Sequence, residues 1–522
     1  MSTAASPAEP LSAYAIQVDS RDNVAVARVA VPRGTRVLVG ETLVDVLDDI
    51  TPGHRFALQP IAAGDFVRQY GQPIGTSKGV AAGALISHAN MSNEVPVVRE
   101  LDEQQHTPAP DYVPETGRAS FMGYRRPDGR VGIRNWILII PTSMCAAHEA
   151  VQIATVAEFT LFDKAKYPNV DGVVAIPHNK GCGCSDGSNI EVMLRTLAAY
   201  AEHPNVGGVV FIGLGCEKTN LTVMERYLSD LHRPLNKPVA RIGIQDAGGT
   251  QGSVRRGLEA VEAMLPVVNQ ITRTPAPISE LSMGVKCGGS DGFSGLSANP
   301  ALGRAADELV RQGGTVLITE VPEFCGAEHI LAWRAKDAAT GHAVYDMVDW
   351  YKEYASKFGT VLNENPSPGN VAGGLLNITI KSLGAIAKAG TTRVEGVVGY
   401  AERPTGNGLY LMQGPGYDQE STPGLIASGA QLVVFTTGRG TTIGNAIAPV
   451  LKLASNNTIY QRMKSDLDMS AGDIIDGTAS IEDVGLDVFE YVRRVASGEI
   501  VSRAEENKHR EFQVWAEQSV SL

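Results

Sequence analysis

Hydrophobic and polar positions along the chain fall into three successive regimes. Between residues 14 and 90, short apolar runs (YAIQV, VAVARV, RVLVG, RFALQPI, FVRQYGQPIG) alternate with closely spaced turns rich in Gly, Pro and Asp. That pattern predicts a small domain of short strands, with no helical periodicity until after residue 140. Residues 91–120 are polar and contain Pro, which predicts an extended linker. From residue 121 onward strand-like runs are followed by turns and helical stretches. WILIIPT precedes a helix near 146–160, GVVAIPH a Gly-rich turn and a helix near 189–202, and GGVVFIGLG a turn and a helix near 219–231. This rhythm predicts parallel strands joined by crossover helices. A second section of the same kind begins at LSMGVKCGGSDG and runs to about residue 480. Its buried-type strands, TVLITEVPE, RVEGVVGYAERP and LVVFTTGRGT, each end in a polar loop. The charged, amphipathic stretch 481–522 is expected to pack as helices outside the sheet.

The expected fold class is therefore α/β: a Rossmann-like parallel sheet region with a small N-terminal β domain. The boundaries read as 1–90 for the small domain, 91–120 for the linker, 121–275 for a middle α/β domain and 276–522 for a C-terminal α/β domain. A chain of 522 residues exceeds one ordinary core, in keeping with several domains. The 56 glycines point to many tight turns and close backbone approaches. Net charge is −12 with no basic patch interleaved with aromatics, which argues against nucleic acid as a partner. No run approaches the ~18 apolar residues of a membrane span. The segment MSTAASPAEPLSAY lacks the basic start and apolar core of a signal peptide, so a cytoplasmic protein with reduced cysteines is expected.

Four cysteines lie in Gly-rich turns: Cys145 in PTSMC, Cys182 in HNKGCGC, Cys216 in IGLGCE and Cys287 in KCGGSDG. Three follow strand-like runs and the fourth a shorter one, the place where open α/β sheets build their sites. Brought to one crevice, four thiols can hold a metal; thiolates favour iron, zinc or iron–sulfur clusters over Mg2+ or Ca2+. The plain alternative for each is a buried cysteine in a turn. In KCGGSDGFSG, Ser290 and Asp291 sit among glycines whose amides can cradle a carboxylate or phosphate, or form an Asx turn. ITEVPEFCGAEH offers Glu320, Glu323 and Glu328 as ligands or acid–base groups, Glu320 being nearest the strand end; acidic helix starts are the alternative. His178 follows VVAIP and precedes Cys182 by four residues, as a base, a ligand or a satisfied polar residue. FTTGRGTTIGN puts Thr436, Thr437 and Arg439 at another strand end, where a guanidinium fork suits a carboxylate or a surface ion pair. His54 in PGHRFAL lies in a turn of the small domain. No dinucleotide fingerprint, P-loop or nucleophile elbow is present.

Together these segments resemble the altronate/galactarate dehydratase family of sugar-acid hydro-lyases over nearly the whole chain. The motifs are DNVAVA, GHRFAL, GYRRPDGRVGIRN, GLGCE, CGGSDGFSGLSANPALG, TEVPEFCGAE, NPSPGN and FTTGRGT, in that order. The resemblance implies an N-terminal β-clip of the SAF type and dehydration of an aldonate or aldarate, such as altronate, to a 2-keto-3-deoxy acid. Fe2+ is the implied metal, with an iron–sulfur cluster or Mn2+ as alternatives. On this reading His54, His178 and Glu320 are catalytic. Asn23, Arg125, Asn135, Ser290, Asp291, Thr437 and Arg439 bind substrate, and Cys145, Cys182, Cys216 and Cys287 hold the metal. HNKGCGCSDG departs from the family pattern, which leaves galactarate and a sulfonated hydroxy acid as other substrates. The expected partners are a small sugar acid and a second copy of the chain in a homodimer, with neither nucleic acid nor membrane. Two readings from other classes stand beside it: an anion-binding protein without turnover and a zinc-stabilised structural protein.

Overall fold

In a computed structural model, residues 8–230 and 235–517 are described. The fold is α/β, with two parallel sheets and a small β domain at the N-terminus. The small domain is built from three three-stranded sheets made of strands of two to six residues. Alternation fails at its centre: all four residues of Val24–Ala27 are buried, because this strand is covered on both faces.

The stretch after Ser92 is a strap bound to the C-terminal domain over much of its length. Arg99 donates to the buried Glu328 carboxylate at 2.8 Å, and Gln105 donates to the carbonyls of Ala332 and Ala335. Trp333 Nε1 donates to Glu100 O, and Val113 N to Arg311 O. Its polarity reflects a segment that pairs its groups with a neighbouring surface instead of with its own backbone.

A hairpin arm, Ser120–Arg125, pairs antiparallel with Arg273–Pro277, so the middle domain begins and ends at one place. Between them lies a four-stranded parallel sheet ordered Gly172–Ala175, Trp136–Pro141, Val206–Gly213, Val239–Gly243. All eight residues of Val206–Gly213 are buried, as expected of a strand with helices on both faces. The helices follow their strands: Ala147–Thr160, Ser188–Glu202, Leu221–Asp230 and Thr250–Val268.

The C-terminal domain carries a seven-stranded parallel sheet. Its spatial order is Val394–Val398, Gly408–Met412, Thr315–Ile318, Ser282–Cys287, Leu432–Thr437, Val450–Ala454, Met469–Ser470. Ser282–Cys287 lies at the centre, and the chain leaves it first to one side and later to the other. The amphipathic helix Ile481–Ala496 buries Val484, Val488, Val492 and Val495 at helical spacing and packs on Ala298–Arg311, outside the sheet. The chain after the short helix Arg503–Glu506 has no further helix among the described residues, which corrects the expectation of helices to the end. No helix among the described residues is long and apolar enough to cross a membrane.

The small domain docks on the C-terminal domain through backbone. Gly53 has φ +85°, and a Cβ there would lie 2.9 Å from Gly373 O, so glycine permits both the turn and the approach. Arg55 is buried and donates to Gly374 O at 2.6 Å and to Gln69 Oε1 at 2.7 Å. Burial lowers its pKa to about 10, leaving it charged at neutral pH. Asn377 Nδ2 donates to Ile74 O at 2.8 Å, and Val26 joins Phe293, Leu296 and Ile475 in an apolar cluster across the contact.

Arg55→Met leaves two buried acceptors without their donor and is expected to destabilise the protein by about 2 kcal/mol. Arg125→Ala removes a partly exposed pair with Glu280 and an exposed hydrogen bond to Gly129 O and is expected to cost about 1 kcal/mol or less. Denaturant titration of the two variants side by side checks both; equal losses would contradict the docking role of Arg55.

Candidate active site

The centre of the seven-stranded sheet is a topological switch point, where connections leave adjacent strands in opposite directions and open a crevice beyond their carboxyl ends. Five segments deliver polar side chains there. Ser282–Cys287 ends in Lys286 and Cys287, Thr315–Ile318 runs into Glu320 and Glu323, and Leu432–Thr437 runs into Arg439. The start of the helix Asp418–Ala427 gives Asp418, and the helix Ile378–Ala385 with the turn after it gives Lys381 and Lys388.

These groups form one buried ion network. Lys286 Nζ donates to Glu320 Oε1 at 2.7 Å and to Asp418 Oδ1 at 2.6 Å. Lys388 Nζ donates to Glu320 Oε2 at 2.8 Å and to Cys287 Sγ at 2.7 Å. Lys381 Nζ meets Glu323 Oε1 at 2.8 Å and donates to Asn365 Oδ1 at the same distance. Cys287 donates its thiol proton to Glu323 Oε2 at 3.2 Å, and its backbone amide donates to Glu320 Oε2 at 3.0 Å. Three ammonium groups thus face three carboxylates. Such an arrangement is tolerated away from water only when every charge is paired and hydrogen-bonded.

The electrostatics follow from that balance. Burial works against the charge on Lys286, but Asp418 and Glu320 outweigh it and hold the ammonium above its ordinary pKa. Burial likewise works against Lys388, and the anionic surroundings again prevail. Burial would raise Glu323, but Lys381 and Lys388 hold it well below the usual carboxylate range. The Cys287 thiol is pushed up to about 12, by burial first and then by Glu320 and Glu323. It therefore rests as a neutral thiol. Glu320 adopts φ +74°, the left-handed region that favours glycine, at a cost of order 1 kcal/mol or more. Its side chain makes three of the contacts above, so the network holds the strained backbone in place.

Above the network the loops form a mouth. Gly438 N and Arg439 N both donate to Gly289 O, tying the two strand ends together. The Arg439 guanidinium is exposed, has no hydrogen-bond or ion-pair partner among the described residues, and lies over Gly369. Ser290 Oγ is buried without a partner, while its carbonyl accepts from Asn370. The turn carrying His54 rests on Gly292 and Gly374. His54 is half-buried, and burial followed by the charge of Arg55 lowers its pKa. With Nδ1 on Thr51 Oγ1 at 2.7 Å, Nε2 is left to act as a base when Nδ1 carries the proton.

The structure thus brings together Cys287, Glu320, Ser290, Thr437, Arg439 and the His54 turn. It assigns other work to the remaining predicted residues. Asp291 accepts from Phe293 N, Ser294 N, the hydroxyls of Ser294 and Ser455, and Asn456 Nδ2, so it braces the loop. Asn23 clips the small domain by donating to Phe66 O and accepting from Arg68 N. Arg125 pairs with Glu280, and Asn135 is buried at the start of its strand, the end opposite a parallel-sheet site. His178 spends both ring nitrogens, accepting from Lys180 N on Nδ1 and donating from Nε2 to Pro141 O, which excludes it as a free base here. Glu328 pairs with Arg99 and Lys352.

The four-thiol centre is also corrected. Cys145, Cys182 and Cys216 are exposed and belong to the middle sheet, whereas Cys287 is buried in the other. Among the described residues, Cys287, Glu320 and Glu323 form the one group of three such side chains whose ligand atoms all lie within 4.8 Å of one another, so the chain has a possible metal site there. The lysines were missed. Their signal was a Lys inside otherwise apolar runs, GVKC and ITIKSLGAIAKAG, where a buried cation demands an anion.

Comparison with known proteins gives a consistent result. Residues 13–94 match the altronate/galactarate dehydratase SAF domain. Residues 123–269 match the second domain described for D-galactarate dehydratase/altronate hydrolase, and 278–520 the D-galactarate/altronate dehydratase C-terminal domain. Altronate dehydratase of Bacillus subtilis (strain 168) is 35% identical over 96% of this chain and 98% of its own length. Altronate dehydratase of Escherichia coli (strain K12) is 36% identical over 89% and 91%, and its galactarate dehydratase (L-threo-forming) 36% over 94% of each.

In metal-free native protein at pH 8, Cys145, Cys182 and Cys216 are expected to be alkylated by iodoacetamide well before Cys287, a difference abolished by denaturant. Peptide mass spectrometry checks the order. Lys388→Met leaves a buried carboxylate underpaired and is expected to cost about 3–5 kcal/mol in a denaturant titration.

Proposed function

Because the chain belongs to the altronate/galactarate dehydratase family, we infer that it is a hydro-lyase that removes water from a sugar acid. The substrate class is an aldonate such as altronate, and the product a 2-keto-3-deoxy acid. The observation that carries this reading is the balanced lysine–carboxylate–thiol network under an uncommitted arginine at the switch point. One free guanidinium suits one substrate carboxylate, which favours an aldonate over an aldarate.

Charge counting favours a metal with the substrate. The network of Lys286, Lys381, Lys388, Glu320, Glu323 and Asp418 is neutral with Cys287 as a thiol. With Arg439 paired to the substrate carboxylate, a divalent ion in place of the thiol proton would leave one excess positive charge, to be offset by the negative charge that develops on the enediolate. One sulfur and two carboxylate donors, Cys287, Glu320 and Glu323, suit a transition ion, and Fe2+ is the one we propose. When bound it supplies Lewis-acid polarisation of substrate oxygen.

The chain's own residues supply the rest. Arg439 and the Ser290 hydroxyl, which is buried without a partner, hold the carboxylate. His54 Nε2 takes the C2 proton, and the nearby ammonium groups oppose the charge that develops on the enediolate. Lys381, on the mouth side of the network, protonates the departing C3 hydroxyl. The C2–H and C3–O bonds break, water leaves, and the enol becomes the ketone. The small domain keeps bulk water out while the intermediate exists.

Anaerobic, iron-loaded protein is expected to release a 2-keto-3-deoxy acid from an aldonate in a panel of aldonates and aldarates; conversion of none would overturn the reading. Because His54 is lowered from the ordinary value of about 6.5, its base form persists above a pKa below that value, and kcat/KM should fall only as pH drops through it. His54→Asn should lower kcat/KM by about 10²-fold or more and remove that acid limb, which a pH–rate profile reads directly.

A further inference from the structure

The middle sheet has its own switch point. In strand order Gly172–Ala175, Trp136–Pro141, Val206–Gly213, the chain leaves Trp136–Pro141 to one side and later crosses to the other. Cys145, Cys182 and Cys216 follow these three strands and lie on the loops at their carboxyl ends.

The three loops are bound to one another in every pairing. Met144 N donates to Lys180 O at 2.7 Å and His178 Nε2 to Pro141 O at 2.9 Å, joining the first loop to the second. Thr142 Oγ1 donates to the buried Glu217 carboxylate and Thr219 Oγ1 to Thr142 O, each at 2.6 Å, joining the first to the third. Lys218 N donates to Cys182 Sγ itself at 3.4 Å, joining the second to the third. All three thiols are exposed, and Ser143 Oγ, in the first loop and packed against Gly181, is buried with no partner.

Three exposed thiols on three mutually bound loops are a soft sulfur donor set of the kind that iron–sulfur clusters take. We propose that Cys145, Cys182 and Cys216 hold an iron–sulfur cluster of the [4Fe–4S] type at the middle-sheet switch point, separate from the Cys287 site. Each thiol gives its proton to solvent on ligation, and the fourth iron is left open to a small oxygen ligand. His178 and Glu217 are positioning residues for this centre: they fix the loops and touch no ligand.

The test uses the full chain, reconstituted anaerobically with equal amounts of Fe2+ and Fe3+ and with sulfide, so that the cluster forms without an added oxidant, and then desalted. About four acid-labile sulfides per chain are expected, together with broad visible thiolate-to-iron absorption and protection of the three cysteines from iodoacetamide. Cys145→Ser, Cys182→Ser and Cys216→Ser should each reduce sulfide and absorption several-fold while far-ultraviolet circular dichroism is unchanged. Cys287→Ser and Cys184→Ser should leave both in place. Absence of sulfide with all three thiols still alkylated, or loss of the cluster in Cys287→Ser alone, overturns the proposal. The outcome is separable from the dehydratase reading: turnover of an aldonate by sulfide-free, iron-loaded protein would refute the cluster's necessity there and leave that reading intact.

Discussion

The structure depends on a charge balance in a place largely closed to water. Lys286, Lys381 and Lys388 face Glu320, Glu323 and Asp418 at 2.6–2.8 Å beneath the centre of the seven-stranded sheet. A buried network of this kind is a poor way to gain stability, since well-packed apolar side chains often do as well or better. Its retention points to chemistry. It also fixes geometry that would otherwise relax, above all the left-handed backbone of Glu320, whose carboxylate is gripped from both sides. Polar groups so over-determined need not reorganise when charge develops on a bound molecule, which is the condition for electrostatic catalysis.

The small domain completes that environment. Its contact with the C-terminal domain is made where Gly53, Gly292, Gly373 and Gly374 meet with no room for side chains. Backbone-to-backbone docking leaves little freedom in how the cap sits, and Arg55 anchors it with a hydrogen bond across the contact. The same turn carries His54, so the residue nearest to being a free base arrives with the lid. The strap from Ser92 onward is long enough to bring this domain from one end of the sequence to the middle of the other and is itself tied down by Arg99 and Gln105.

The fold was legible because its signals are local. Apolar runs ending in Gly-rich turns, followed by helical periodicity, specify β–turn–α units whatever their neighbours are, and the helices near 146–160 and 189–202 appear as Ala147–Thr160 and Ser188–Glu202. The site was legible only in part. Glu320, Ser290, Thr437 and Arg439 lie at strand ends and could be found by that rule. Asn135 and Arg125 could not be rejected, because a strand's start and end look alike until the direction of the sheet is known. Asp291 sits where a ligand would, and only its five donors show that it is occupied. Lys381 and Lys388 come from a helix and a turn about 100 residues beyond Cys287, and no periodicity links a cation to a carboxylate across that separation.

Grouping four cysteines was an error of topology, and its cause is instructive. Each of the four follows a parallel strand, so each satisfies the rule for a site; but the chain contains two sheets, and every sheet with a reversal in strand order has a crevice of its own. A sequence shows how many strand ends carry a cysteine, not how many sheets share them. Once the sheets are separated, the thiols differ in kind. Cys287 is buried, protonated and locked to lysine and glutamate. Cys145, Cys182 and Cys216 stand open to solvent on three loops tied pairwise together. Two switch points with opposite burial and opposite ligand character are better suited to two distinct tasks than to one shared centre.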